Sequence, residues 1–141
     1  MNKICTDIEQ SKKLTKFLPI ESADMYWFNE HIDMTQTKYR LFVVDKSNKY
    51  VDFFKSYAVA VGDNEIIPCW SLAALLEQLD DEITDENGND YNLTIVKEDL
   101  QYQLYYHDSW GQVEDIETDY YDDLVDAAFE MILKLKENNL L

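Results

Sequence analysis

Residues 119–135 read Asp-Tyr-Tyr-Asp-Asp-Leu-Val-Asp-Ala-Ala-Phe-Glu-Met-Ile-Leu-Lys-Leu, and their apolar positions recur at the spacing of an α-helix. Leu124, Ala128, Met131, Ile132 and Leu135 make one stripe, which Val125 and Phe129 widen. Asp119 or Asp122 is the expected N-cap, since a short carboxylate can accept from the free amides of the first turn. The acids at that end, and Lys134 and Lys136 in the last turn, both suit the helix dipole. A helix with so broad an apolar side has to lay it on another element, and the preceding chain offers strands to receive it.

At 141 residues, the chain has the length of one compact domain, taken here as residues 1–141. Apolar residues make up 46% and aromatics 13%, enough for a core and too many for a disordered chain. The net charge of −17 is unevenly placed. Residues 1–55 carry nine Lys or Arg against eight Asp or Glu, whereas residues 56–133 set one lysine, Lys97, against 20 acids. An excess of that sign opposes direct binding to phosphate backbones, so no nucleic-acid partner is expected. No apolar run suits a signal peptide or a membrane span, and two cysteines are too few for a disulfide framework. A cytoplasmic protein with reduced thiols follows as the expectation.

Along the chain, Thr6 or Asp7 can cap a helix of about three turns that carries Ile8, Leu14 and Phe17 inward and ends at Pro19. Strands are expected at residues 23–29, at 38–45 and at 57–61, the last closed by Gly62-Asp63-Asn64. Residues 46–49 read as a turn, and 50–54 fit either a short strand or a helical turn. Ser71 is the expected N-cap of a middle helix carrying Leu72, Leu75, Leu76 and Leu79, with Trp70 stapled on Leu75. Residues 80–90 form an acidic connector with an Asn87-Gly88 turn. Strands at 91–97 and 100–106 and a weaker one at 112–117 then make an antiparallel meander. In the second of these, Leu100, Tyr102, Leu104 and Tyr106 share a face. The fold class is therefore α+β, a mostly antiparallel sheet of about five strands packed by three helices, N-terminal, middle and C-terminal.

Chemistry is hard to place on these residues. Cys69 precedes a helix, where a thiolate is stabilised, but neither His31 nor His107 stands in a motif with it, and a small buried side chain is the simpler reading. The histidines have no metal-ligand spacing. Residues 85–90 begin like a calcium loop, yet the position that needs glycine holds Asp90 and the position of the closing bidentate acid falls on Val96. Glycines at 62, 88 and 111 build no phosphate loop or nucleophile elbow. Catalytic, cofactor and metal residues are accordingly assigned to none.

The aromatic and acidic second half suits contact with another protein. Tyr105 lies opposite Leu104 in the strand pattern and is expected to be exposed with Gln101 and Gln103. Together with Trp110, Tyr120, Tyr121, Asp115, Glu117 and Asp119 it makes the candidate protein-binding surface, because tyrosine and tryptophan supply contact area at low entropic cost.

Three stretches resemble a family of small uncharacterised bacterial proteins encoded in prophage-like or mobile regions. They are residues 1–14 with Ala23-Asp-Met-Tyr-Trp27, then Ile67-Pro-Cys-Trp-Ser-Leu-Ala-Ala-Leu-Leu76, and Asp123-Leu-Val-Asp-Ala-Ala-Phe-Glu-Met-Ile132, about a third of the chain. Cys69 stands where relatives carry alanine. The resemblance implies an accessory protein of a phage or mobile element and brings no activity or site residues. The expected role is a non-catalytic acidic module that binds another, basic protein, as a DNA mimic or immunity protein would. The alternatives are a small hydrolase with a carboxylate or metal-assisted site, and a structural homo-oligomer.

Overall fold

The computed structural model describes residues 2–29, 39–43 and 66–141. The expectations for residues 46–49, 50–54 and 57–61, for Gly62-Asp63-Asn64 and for His31 lie outside the described residues. Those residues hold three α-helices, one 3-10 turn and two antiparallel sheets of three and four strands, an α+β fold with seven strands rather than about five. Contacts group the chain into two compact units, Cys5–Ala74 and Met1–Ile4 with Leu75–Leu141.

In the unit Cys5–Ala74, helix α1 (Ile8–Leu14) starts from a capping box. Asp7 Oδ1 accepts from the Gln10 amide at 2.9 Å, and the Gln10 side chain accepts from the Asp7 amide at 3.1 Å. Thr6, the other candidate cap, is buried instead, its hydroxyl accepting from the Trp70 amide at 3.1 Å and lying 2.8 Å from Ser11 Oγ. At seven residues the helix is two turns long, not three. Its C-cap is Thr15, and looser turns continue to Leu18 before Pro19 opens the 3-10 turn Ile20–Ser22. Leu14 and Leu18 are buried, whereas Ile8 and Phe17 are half-buried.

Strand β1 (Met25–Asn29) is central in the three-stranded sheet, between β2 (Tyr39–Val43) and β3 (Ile66–Cys69). Trp27 stands opposite Leu41 on one side and Ile67 on the other. Strand β3 is a finding of the structure, in the stretch that leads into the middle helix. Among the described strands it pairs with β1 alone, Pro68 standing opposite Tyr26, and proline is tolerated in a strand paired on one side. Helix α2 (Leu72–Glu77) runs across the division between the units. Ser71 opens it as expected: the Ala74 amide donates to Ser71 Oγ at 3.2 Å. Asp24 holds that serine in place, accepting from its amide at 2.8 Å and from its hydroxyl.

The other unit is the meander. Strands β4 (Glu82–Thr84), β5 (Asp90–Glu98), β6 (Gln101–Asp108) and β7 (Ile116–Glu117) follow one another in space as in sequence. β4 lies inside the stretch expected as a connector, and β7 is two residues where six were expected. The Asn87-Gly88 turn is present, with Gly88 at φ +79°. Leu100 belongs to the β5–β6 turn rather than to the buried face, which continues through Leu104 and Tyr106 to Asp108. The Tyr106 hydroxyl finds a partner there, donating to the Asp80 carbonyl at 2.6 Å.

Helix α3 (Leu124–Glu137) packs against β6. Its N-cap is Asp123, not Asp119 or Asp122, and Asp123 Oδ1 accepts from the Val125 amide at 2.9 Å. The second oxygen of Asp123 accepts from the Lys3 amide, and Lys3 Nζ meets Asp126 at 2.6 Å. Val125, Ala127, Ala128, Phe129, Met131, Ile132 and Leu135 are buried, more than half the helix circumference, while Leu124 is half-exposed. The C-terminus closes as a Schellman turn: Asn139 has φ +56°, the Leu140 amide reaches the Leu135 carbonyl at 2.8 Å, and the Asn139 amide reaches Lys136 at 3.2 Å.

Candidate protein-binding surface

One face of the meander carries α3; the alternation of strand side chains sends Gln101, Gln103, Tyr105 and His107 of β6 to the other. Tyr105 is half-buried there, between Thr94 of β5 and Glu117 of β7, its direct neighbours in register. Beyond β7 the chain stays beside β6, since the Thr118 amide donates to the Leu104 carbonyl at 3.0 Å and Tyr121 and Tyr102 exchange backbone bonds. That course brings Tyr120, 43% exposed, to the same face. Its hydroxyl donates to Glu98 Oε2 at 3.2 Å. Partial loss of water, then the bond to Glu98 and the nearby charges of Glu98 and Glu117, raise its phenol above the ordinary tyrosine value.

Tyr105, Tyr120 and Glu117 are thus brought together, with Glu98 as a fourth member that sequence reasoning missed. Its position in the last pair of the β5–β6 ladder, opposite Gln101, is the signal that would have found it. Gln101 and Gln103 are half-buried rather than open, donating to Asp122 Oδ1 at 3.0 Å and to the Thr118 carbonyl at 2.8 Å. On the same face of β6, His107 Nδ1 lies 2.8 Å from Asp115 Oδ1.

The other candidates lie apart. Tyr121 faces the helix side: burial, then the charges of Glu130, Asp119 and Asp126, push its phenol up. Asp119 is exposed near it. Trp110 is 78% exposed on the turn after β6, and that turn is built on Asp108. The Asp108 carboxylate accepts from the amides of Trp110 at 3.1 Å, Gln112 at 2.7 Å and Val113 at 3.1 Å. Those bonds hold Asp108 below the usual carboxylate range, the Trp110 amide contributing most.

A groove of about 650 Å³ opens between residues 85–87, residues 113–116 and the end of α3, with Asp85, Glu86, Glu114 and Asp115 on its walls. Two of its acids are engaged in structure, Asp115 with His107 and Asp85 within its own turn. Asp85 accepts from the amides of Asn87 and Asn89, the Asn89 side chain and the Tyr91 hydroxyl. Led by the Asn89 side chain, these bonds hold it below the usual range, opposite to what a general acid needs at neutral pH. Among the described residues no group of three or more His, Cys, Asp or Glu is arranged to hold a metal ion.

No protein-family model, curated protein or solved structure matches this chain. No helix among the described residues is long and apolar enough to cross a membrane. Cys69 is fully buried, and its thiol is pushed up by a hydrogen bond to Cys5 and by burial, the reverse of an activated nucleophile.

Proposed function

We propose that the chain is a non-catalytic acidic module that binds another protein, a basic one, through the outer face of the meander. The observation that carries this reading is the cluster of Tyr105 and Tyr120 between the carboxylates of Glu98 and Glu117. It lies in the unit Met1–Ile4 with Leu75–Leu141, where 19 acids stand against four lysines. Aromatic rings set in such a field offer a flat contact with complementary charge for a Lys- or Arg-rich surface. The resemblance of residues 1–14, 23–27, 67–76 and 123–132 to proteins of mobile elements suggests the setting: a cytoplasmic accessory protein that covers a basic site on a nucleic-acid-binding protein or a toxin.

Capture from host lysate at low and at high salt tests the reading, with Tyr105→Ala/Tyr120→Ala as the control bait. A basic partner retained at low salt, released at high salt and lost with the double variant supports it. An unchanged set of captured proteins for the two baits sinks it. The groove gives a specific ground for the second reading, a hydrolase with a carboxylate site. That reading predicts turnover in a broad hydrolase screen that Glu86→Gln/Glu114→Gln abolishes.

A further inference from the structure

We infer that Cys5 and Cys69 form a redox pair, two thiols already in contact that a small peroxide closes into an intramolecular disulfide. Three observations within the unit Cys5–Ala74 converge on it. The two thiols are hydrogen-bonded to each other. They share one buried cluster with Met25, against which Trp27 and Leu41 pack. The backbone holds them there: Cys5 forms an antiparallel bridge with Ser71, the Thr6 amide donates to the Trp70 carbonyl at 2.9 Å, and Cys69 is in register with Met25. Ser71 and Cys69, two residues apart on an extended segment, present their side chains on one side, which is why Cys5 reaches Cys69.

The surroundings select the oxidant. Cys5 keeps 4% exposure and Cys69 none, and Met25, Trp27 and Leu41 pack on them with the Asp24 carboxylate near Cys69, so a small uncharged oxidant such as hydrogen peroxide fits where a protein disulfide or an anion does not. Cys5 Sγ attacks the peroxide, the O–O bond breaks, and Cys5 becomes a sulfenic acid with release of one water. The Cys69 thiol, unactivated but already held beside Cys5, then attacks that sulfur, proximity taking the place of activation. The S–O bond breaks, and the hydroxide leaves with the Cys69 proton as a second water. Two thiols and one hydrogen peroxide yield one disulfide and two waters, the sulfurs oxidised and the peroxide reduced. The product ties the segment before α1 to the end of β3 and closes a loop between residues 64 positions apart in the chain.

The test uses the reduced full chain treated with a small excess of hydrogen peroxide, then quenched, unfolded in urea and analysed by thiol titration, intact mass and peptide mapping. The expected result is loss of both thiols, a mass lower by two hydrogens, one peptide pair linked through Cys5 and Cys69, and reversal by dithiothreitol. The oxidised chain melts roughly 10 °C higher than the reduced one, because the unfolded state is constrained. Cys5→Ser and Cys69→Ser show neither the internal link nor the higher melting temperature. Two thiols still titratable after exposure that consumes free cysteine, links between molecules, or sulfinic acid in place of the link would each overturn the inference.

Discussion

The carboxylate of Asp108 accepts from the backbone amide of Gln112 at 2.7 Å, the shortest of three such bonds through which one side chain shapes the turn that displays Trp110. These bonds favour the ionised form, so the folded-state pKa lies below the unfolded value of about 3.9. The sign follows: the contribution is fully present above that unfolded value and is lost as pH falls through the lower folded one. Thermal melts of wild type and Asp108→Asn between pH 7 and pH 3 check it. The variant melts several degrees lower at neutral pH, and the gap closes as the solution is acidified. A gap independent of pH would show that charge plays no part in the turn.

The β5–β6 hairpin turns on Asp99 and Leu100, with φ of 48° and 65°, a pair of left-handed residues of the kind that asparagine and glycine usually supply. Leu100 is 80% exposed, so its side chain gains little from packing. Relief of the left-handed strain, about 1–2 kcal/mol, outweighs the extra freedom that glycine has when unfolded, about 0.5–1 kcal/mol. Leu100→Gly should therefore stabilise the chain by roughly 0.5–1 kcal/mol in urea titration, by the difference of those two terms. A loss of stability would mean that Leu100 packs in a way its exposure does not suggest.

Helix α3 offers a paired test. Ile132 is fully buried and Leu124 is half-exposed, although both belong to the apolar stripe as read from spacing. Ile132→Ala should cost about 2–5 kcal/mol and Leu124→Ala less than about 1 kcal/mol, since only the first leaves a cavity. Equal losses in denaturant titration would place the packed side of the helix elsewhere.

The expectation of one domain is a statement about cooperativity, and the tryptophans report on it separately. Trp27 and Trp70 lie in the unit Cys5–Ala74, and Trp110 in the other. If the chain unfolds as one domain, Trp110→Phe and the double variant Trp27→Phe/Trp70→Phe each give a single fluorescence transition that coincides with far-UV circular dichroism. Two separated midpoints would make the units independent.

Periodicity made the long elements legible. The buried face of α3 and the alternation Leu104, Tyr106 in β6 follow from apolar spacing alone, because burial repeats with the geometry of the element. What stayed hidden depends on distant pairing or on single atoms. β3 has only four residues and its pairing with β1 joins segments about 40 positions apart, which no local pattern carries. Asp119 and Asp122 looked as able to cap α3 as Asp123 does, because four acids precede the helix and only the chain path chooses among them. Within the candidate surface, Tyr105 and Tyr120 were named, but Glu98 was not, being 22 residues from the tyrosine it meets. The contact of Cys5 with Cys69 is equally a product of tertiary pairing that no spacing encodes.

The pairing of Lys3 with Asp126 has a bearing on synthesis. The two residues are 123 positions apart, so Lys3 leaves the ribosome long before Asp126 is added. At about 5–20 residues per second that interval is roughly 6–25 s. Throughout it Lys3 waits without its anchor, and the translating chain completes this contact only when the first turn of α3 emerges.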